Sequence, residues 1–500
     1  MRVLRPFLFL AFFLTACHSV SAVAPGSSPL ILTEETVTWD DGRSVTFERG
    51  VLTVPVNRAA GSSETITVEV VRFRRAADAP TGIPPVFRLR GGPGYPGIDS
   101  ELGTSIHYQF NIEPLLPSTD VVYVGQRGFG TSTDTPCEDR ETLSLADSFD
   151  DAPREQALLD ALRQCRQFYE RAGLDLAGFN VLEAAADVAD SARELGYDQI
   201  QLFGSSFGSH LGIAILREFP DLVTRATFYG LEGPDHTYDD PDGLERALES
   251  IAAAAESSEV LAPHIPPGGL LNAYRDLIRR ADAQPILVPT VHPDTGDSLV
   301  VTLTGDDFRE LSRGVTRGLA WNHLAPTWAL DILTMLDGDF EPAARRIFRL
   351  KTRTGMRHAA FYQLDCASGI TDERDARYRA SKGADLVGAV WALYSVGCIP
   401  WDADLGDDFR TGFVTDVPTL LLHGTWDMST PYENVTELLP SFRDHHLVTV
   451  EGGAHGAIYE AAEVSEAFED GLYHWFATGD MGRLPDRVVL APLEWRAPGE

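Results

Sequence analysis

The feature that most constrains this chain is the quintet Gly204-Ser205-Ser206-Phe207-Gly208, set between a strand-like Ile200-Gln201-Leu202-Phe203 and a helical stretch from Ser209 to Phe219 that Pro220 ends. A G-x-S-x-G quintet recurs by chance. A strand before it and a helix after it form the context in which it makes a sharp elbow. Flanking glycines relieve crowding at such a turn, so that the Ser206 hydroxyl stands above the sheet edge. The helix N-terminus behind it favours developing negative charge. Ser206 is therefore the candidate nucleophile; the plain alternative is a small residue in a tight turn.

The segments around the quintet read as alternating strands and helices. Val51 to Val56 and Thr65 to Phe73 alternate in the manner of strands, with a turn signal at Ala60-Gly61-Ser62. Pro85 to Leu89 and Asp120 to Val124 are short apolar runs, each followed by a glycine-rich loop, as buried parallel strands are. Ala184 to Leu195 has helical spacing stopped by Gly196, and Arg225 to Tyr229 is a further strand. This alternation predicts a mostly parallel, doubly wound α/β sheet. From Glu232 to Pro400 it lapses into helical segments: Ala247 to Glu256, Leu270 to Ala281, Phe308 to Leu319 and Ala384 to Tyr394. Strands resume at Pro418 to Leu422 and His446 to Val450, and an amphipathic helix follows from Val464 to Phe476. The expected plan is a core of residues 35–231 and 401–500 interrupted by a helical cap, 232–400, between the sixth and seventh core strands.

Two loops at strand carboxyl ends supply the partners a serine nucleophile needs, in the order Ser, Asp, His. His423-Gly424-Thr425-Trp426-Asp427 offers Asp427 as the acid that orients a base, and Gly452-Gly453-Ala454-His455-Gly456 offers His455 as that base. His423, His445 and His446 are poorer bases, and Asp402, Asp404, Asp407 and Asp408 are poorer acids, by their places relative to the strands. Arg90-Gly91-Gly92-Pro93-Gly94 follows a strand and can turn a backbone N–H, that of Gly92 in preference to Gly91, towards a substrate carbonyl. With the Phe207 N–H it would form an oxyanion hole.

Taken together these motifs resemble the prolyl iminopeptidase and tripeptidyl aminopeptidase family of α/β-hydrolase serine exopeptidases. The resemblance runs through Gly91-Gly92-Pro93-Gly94, Gln126-Arg127-Gly128-Phe129-Gly130-Thr131-Ser132, Gly204 to Gly208, Val417 to Leu422 with Asp427, and Gly453-Ala454-His455-Gly456. It spans roughly residues 45 to 480, and the ordered set is specific although each part alone is not. It departs at Arg90, where family members often have His, and at Gly125, where they often have Asp. The resemblance implies the α/β-hydrolase fold and an aminopeptidase that releases short N-terminal pieces from peptides. The alternatives are an esterase on the same triad and an inactive fold kept for binding. A peptide with a free N-terminus brings an ammonium group that loses hydration on entering a capped pocket, so a carboxylate must meet it. Glu232, just past the strand that begins at Arg225, is the candidate, with Asp235, Asp239 and Asp240 behind it.

Composition narrows the partners. A formal charge of −33 over 500 residues argues against nucleic acid. No HExxH, CxxC pair or P-loop is present, so neither metal nor cofactor is expected. Arg2 and Arg5 precede an apolar run, Phe7 to Leu14, too short to span a membrane, and then Leu14-Thr15-Ala16-Cys17. This resembles a bacterial lipobox and predicts export with lipidation of Cys17, residues 1–17 being the leader and 18–34 a tether; the rival is cleavage after Ala22. Setting Cys17 aside leaves Cys137, Cys165, Cys366 and Cys398. Three pairings are open to them, and the sequence-local one, Cys137 with Cys165 and Cys366 with Cys398, is the expected one in an exported chain.

Overall fold

The computed structural model describes residues 30–94, 98, 102, 105–138, 151–317, 325–352, 356–389 and 396–498. Cys17, the expected leader and most of the expected tether lie outside the described residues.

Ten strands form one sheet: β1 Thr33–Thr38, β2 Ser44–Pro55, β3 Thr65–Phe73, β4 Val86–Leu89, β5 Val121–Val124, β6 Ile200–Ser206, β7 Val223–Leu231, β8 Thr419–Gly424, β9 His445–Glu451 and β10 Arg487–Val489. Their spatial order is β1-β2-β3-β5-β4-β6-β7-β8-β9-β10. The first three pairings are antiparallel and β5 onwards is parallel. β1 begins inside the expected tether and adds an edge strand to β2. Inward of it, the insert falls between the strands ending at Leu231 and beginning at Thr419, as expected. The chain has the α/β-hydrolase fold.

Residues along the central strands alternate between two cores, as a pleated strand requires. Leu202, Phe228 and Leu421 join the core under helices Val181–Glu194 and Phe207–Glu218. Phe203, Tyr229, Leu420 and Leu422 join the core on the opposite face, covered by Ala457–Val464 and Glu466–Thr478. The stretch read as one helix from Val464 to Phe476 is the second of these, Glu466–Thr478; the first ends at Val464, and the Ser465 side chain caps the second by accepting from the Phe468 N–H.

A third core lies within the insert, among helices Pro241–Glu256, Leu270–Ala283, Gly305–Arg317, Ala325–Leu336 and Glu341–Thr352. Three features differ from the sequence reading. An antiparallel hairpin, Ile286–Val291 with Ser298–Leu303, sits among the helices, its turn at the polar run 292–297. The helix expected from Ala384 to Tyr394 ends at Val387, because Gly388 turns to φ 73°; residues 390–395 lie outside the described residues. Helix Ala359–Ser368 belongs to the insert by sequence but packs into the core beside the nucleophile helix, with Ala359, Tyr362 and Leu364 buried there. The insert is therefore not all cap.

The cysteines pair locally, Cys137 with Cys165 and Cys366 with Cys398. The first joins Pro136–Glu138 to helix Asp151–Arg171, and the second pins Ala359–Ser368 to the chain that re-enters the sheet domain.

Candidate active site

β6 delivers Ser206 to the elbow. Its backbone has φ 54° and ψ −133°, making it the one non-glycine residue with positive φ among the described residues. Such a conformation costs on the order of 1–3 kcal/mol and persists only where neighbours enforce it. Here the neighbours are close: a Cβ on Gly208 would lie 2.2 Å from the Leu89 carbonyl oxygen, so the helix beginning at Phe207 docks on the end of β4 only because residue 208 is glycine. The loop after β4 passes close to the serine. A Cβ on Gly91 would stand 3.2 Å from Ser206 Cβ and 3.7 Å from Oγ.

The acid and base loops are stitched together before their side chains meet. The Trp426 N–H donates to the Gly453 carbonyl at 2.8 Å, and the Gly452 N–H donates to Thr425 Oγ1 at 3.0 Å. His455 Nδ1 then donates to Asp427 Oδ2 at 2.8 Å. Asp427 is buried and its lone pairs are taken up. Oδ1 accepts from the N–H groups of Ser429 (2.8 Å) and Thr430 (2.9 Å), and Oδ2 accepts also from Thr430 Oγ1 (2.8 Å). Burial alone would raise its pKa, but the charge and hydrogen bond of His455 outweigh burial and hold it below the usual carboxylate value. The converse holds for His455: burial pulls its pKa down, while the charge and hydrogen bond of Asp427 leave it raised above the ordinary imidazole value.

His455 reaches the serine side of the sheet through Gly230. A Cβ there would lie 2.9 Å from His455 Cε1, and Gly230 itself takes φ 54°. The next residue, Leu231, is the register partner of Ser206. The ring of His455 thus rests against the strand that flanks the nucleophile. His423 is excluded as a base: it is fully buried, its Nε2 accepts from the Leu231 N–H at 3.1 Å, and burial pushes its pKa down to about 4. Asp404 pairs with Arg410 on the surface, which accounts for one of the rejected acids.

The candidate oxyanion donors lie at the same end of the sheet. Phe207 opens its helix, and neither the Gly91 nor the Gly92 N–H is taken up by a hydrogen bond among the described residues.

Glu232 follows Leu231 and is largely buried, its N–H donating to Ser209 Oγ at 2.9 Å. Its nearest ion-pair neighbour is His210 Nδ1, 3.9 Å away. That ring is no cation: burial pushes its pKa down to about 4, and its nitrogens face the Gly233 carbonyl and Ser368 Oγ, each at 3.0 Å. Burial first, then the charges of Asp365 and Asp239, push the Glu232 carboxyl well above the usual range. The field of Asp239 also reaches His455, so the acids and the His–Asp pair share one region. Of the other acids on this loop, Asp235 is bonded to Arg374 and Thr371, and Asp240 caps helix Pro241–Glu256. Both are structural. Asp365 was not legible: it lies far along the chain from Glu232, and no spacing connects the two. Thr430 carried a local signal, a hydroxyl three residues after the candidate acid.

Among the described residues no group of His, Cys, Asp or Glu has the arrangement of a metal site, and no helix is long and apolar enough to cross a membrane.

Comparison with known proteins agrees with this fold. Residues 84–253 match the sequence family described as alpha/beta hydrolase fold, and residues 384–487 match the family described as TAP-like protein. No curated protein matches the chain. Solved structures similar to it include a serine hydrolase from Cycloclasticus zankles (12% identity over 86% of this chain and 98% of that one, TM-score 0.36). They also include an esterase from Thermogutta terrifontis (13%, 85% and 97%, 0.34) and a proline iminopeptidase-related protein from Thermus thermophilus (15%, 86% and 97%, 0.36).

Proposed function

We propose that this chain, which belongs to the α/β hydrolases and carries a TAP-like C-terminal part, is an exported serine aminopeptidase that cleaves short N-terminal pieces from peptides. Ser206 Oγ attacks the scissile carbonyl as His455 takes its proton. The N–H groups of Gly92 and Phe207 receive the oxyanion, and His455 returns the proton to the leaving amine. Water then hydrolyses the acyl-enzyme by the same exchange. Asp427 holds the imidazole in the tautomer that leaves its other nitrogen free to accept.

The observation that carries the peptidase reading is the acid cluster. Glu232 is largely buried where β7 ends, the charges of Asp365 and Asp239 reach its carboxyl, and the basic group within ion-pair distance of it, His210, is a neutral histidine. A carboxyl buried within reach of other negative charges is costly to ionise unless a cation meets it. The α-ammonium of a peptide is such a cation, and its arrival would let Glu232 ionise. The cap packs onto the acid loop next to this site: Met428, one residue after Asp427, is buried in the cap's own core.

A panel of aminoacyl, dipeptidyl and tripeptidyl chromogenic amides beside simple esters tests the reading. Amides with a free amine are expected to turn over best, and preference for the esters would establish an esterase instead. Glu232→Gln is expected to cost about 2–5 kcal/mol in kcat/KM on free-amine substrates and far less on esters lacking the amine. Because the Glu232 pKa is raised, its carboxylate forms only above that value. KM for free-amine substrates should therefore fall as pH rises through it, and Glu232→Gln should abolish that dependence.

Export and the anchor rest on the lipobox-like Leu14-Thr15-Ala16-Cys17 and on the two disulfides, which persist in oxidising compartments. Cys17→Ser is expected to move the protein from the membrane fraction to the soluble fraction, since acyl chains would supply the membrane affinity. An intact mass giving a mature N-terminus at Val23 would contradict lipidation.

A further inference from the structure

We propose that Gln126 is a positioning residue for the oxyanion loop: one buried carboxamide holds both ends of Arg90 to Gly94 and so sets where the Gly92 N–H stands. The proposal rests on the reading of that loop as an oxyanion donor.

Gln126 lies just past the carboxyl end of β5, beside β4, from whose end the loop departs. Its Nε2 donates to the Arg90 carbonyl at 2.9 Å and to the Gly91 carbonyl at 3.1 Å, and its Oε1 accepts from the Gly94 N–H at 2.6 Å. The partners fix the amide's orientation, because two carbonyls require the NH₂ end and a backbone N–H requires the oxygen. The peptide bond between Gly91 and Gly92 is trans, so a carbonyl turned towards Gln126 turns the Gly92 N–H away from it. The same holds for the Gly91 N–H. Gln126 therefore consumes the carbonyls and leaves both N–H groups unspent among the described residues, on a loop so near Ser206 that a Cβ on Gly91 would stand 3.2 Å from Ser206 Cβ.

The carboxamide is itself held rigidly. Arg127, fully buried, makes a two-point pair with Asp187 (Nε to Oδ2 2.8 Å, Nη2 to Oδ1 2.7 Å) and donates to the Val56 carbonyl at 2.7 Å. This ties the segment to the end of β2 and to helix Val181–Glu194. One residue further on, the Gly128 carbonyl accepts from both the N–H and the Oγ1 of Thr135 at 3.0 Å. Gln126 is thus mounted on an anchored segment, and its role is to transmit that rigidity to the loop from Arg90 to Gly94.

An oxyanion donor acts in the transition state, so misplacing it should lower kcat and leave ground-state binding alone. Gln126→Met keeps the length and removes all three hydrogen bonds. Gln126→Glu keeps the shape and the acceptor for Gly94, but sets a carboxylate oxygen against two carbonyls. Both variants are expected to lose about 10²-fold in kcat with KM nearly unchanged, the usual effect of losing one oxyanion donor. A peptidyl boronate that forms a tetrahedral adduct should bind each variant more weakly by a similar factor, while a product-like peptide acid binds as it does to the wild type. A folded variant of either kind whose kcat and boronate affinity stay within about threefold of wild type would overturn the proposal, since loss of an oxyanion donor costs far more. So would a loss confined to KM and thermal stability. Fluorophosphonate labelling of the wild type separates the two levels: labelling at Ser206 with indifferent Gln126 variants overturns only the positioning role, and a wild type that is not labelled overturns the underlying reading with it.

Discussion

Ser206→Ala and His455→Ala are each expected to lower kcat by on the order of 10⁶, because nucleophile and base act as a unit and removing either removes the covalent route. The structural cost of the first change should be small or favourable. Ser206 holds φ 54° at the elbow, and its place is set by backbone neighbours, chiefly the approach of Gly208 to the Leu89 carbonyl. Alanine keeps that backbone and loses only the hydroxyl. The melting temperature should therefore be nearly unchanged while activity disappears, and that pairing distinguishes a nucleophile from a small residue in a tight turn. Activity of Ser206→Ala within about tenfold of wild type would end the serine-hydrolase account, since losses of a catalytic nucleophile are orders of magnitude larger.

Asp427→Asn is expected to cost about 10⁴ in kcat with little loss of fold, the scale seen when an amide replaces the acid of such a triad. Two backbone N–H groups, of Ser429 and Thr430, point at Oδ1, so the variant amide will keep its oxygen there. Its NH₂ then occupies the place of Oδ2, facing His455 Nδ1 and Thr430 Oγ1. Nδ1 must become an acceptor, the ring proton moves to Nε2, and the nitrogen that should take the serine proton already carries one. The pH profile supplies a second readout. His455 works in its neutral form, so activity falls as pH drops through its pKa. Asp427 raises that pKa above the ordinary value despite burial, and the residual activity of Asp427→Asn should show its acid limb at lower pH. An unshifted limb together with kcat near wild type would remove Asp427 from the mechanism.

The sheet and the loops that carry the three candidate triad residues were legible because each depends on local pattern. The quintet around Ser206 lies between a strand and a helix, and Asp427 and His455 occupy loops after apolar runs that can only be buried strands. The disulfides were legible from proximity along the chain. What escaped depends on contacts between distant segments or on turns inside a helical region. Asp365 reaches the Glu232 cluster only because helix Ala359–Ser368 leaves the insert to pack on the sheet domain. Residues 286–303 form a hairpin whose outer face keeps Leu287 and Val300 exposed, so its alternation is apolar on both faces and reads poorly as strand. Gln126 stood in a motif of the resemblance without a role, since what it does requires knowing that β4 and β5 are neighbours. The choice among the acids after Glu232 likewise needed partners: Asp235 is spent on Arg374, and Asp240 on a helix cap.

The measurement that bears most directly on the central claim is the initial rate on one peptide amide presented with a free N-terminus and with the same terminus acetylated. Acetylation removes the ammonium charge and leaves the scissile bond untouched. If Glu232 exists to receive that charge, the free peptide should be cleaved by the wild type and the acetylated one should be a poor substrate, and Glu232→Gln should narrow the gap. Equal turnover of the two by the wild type would contradict both the role of the acid cluster and the aminopeptidase assignment, leaving a serine hydrolase of another specificity.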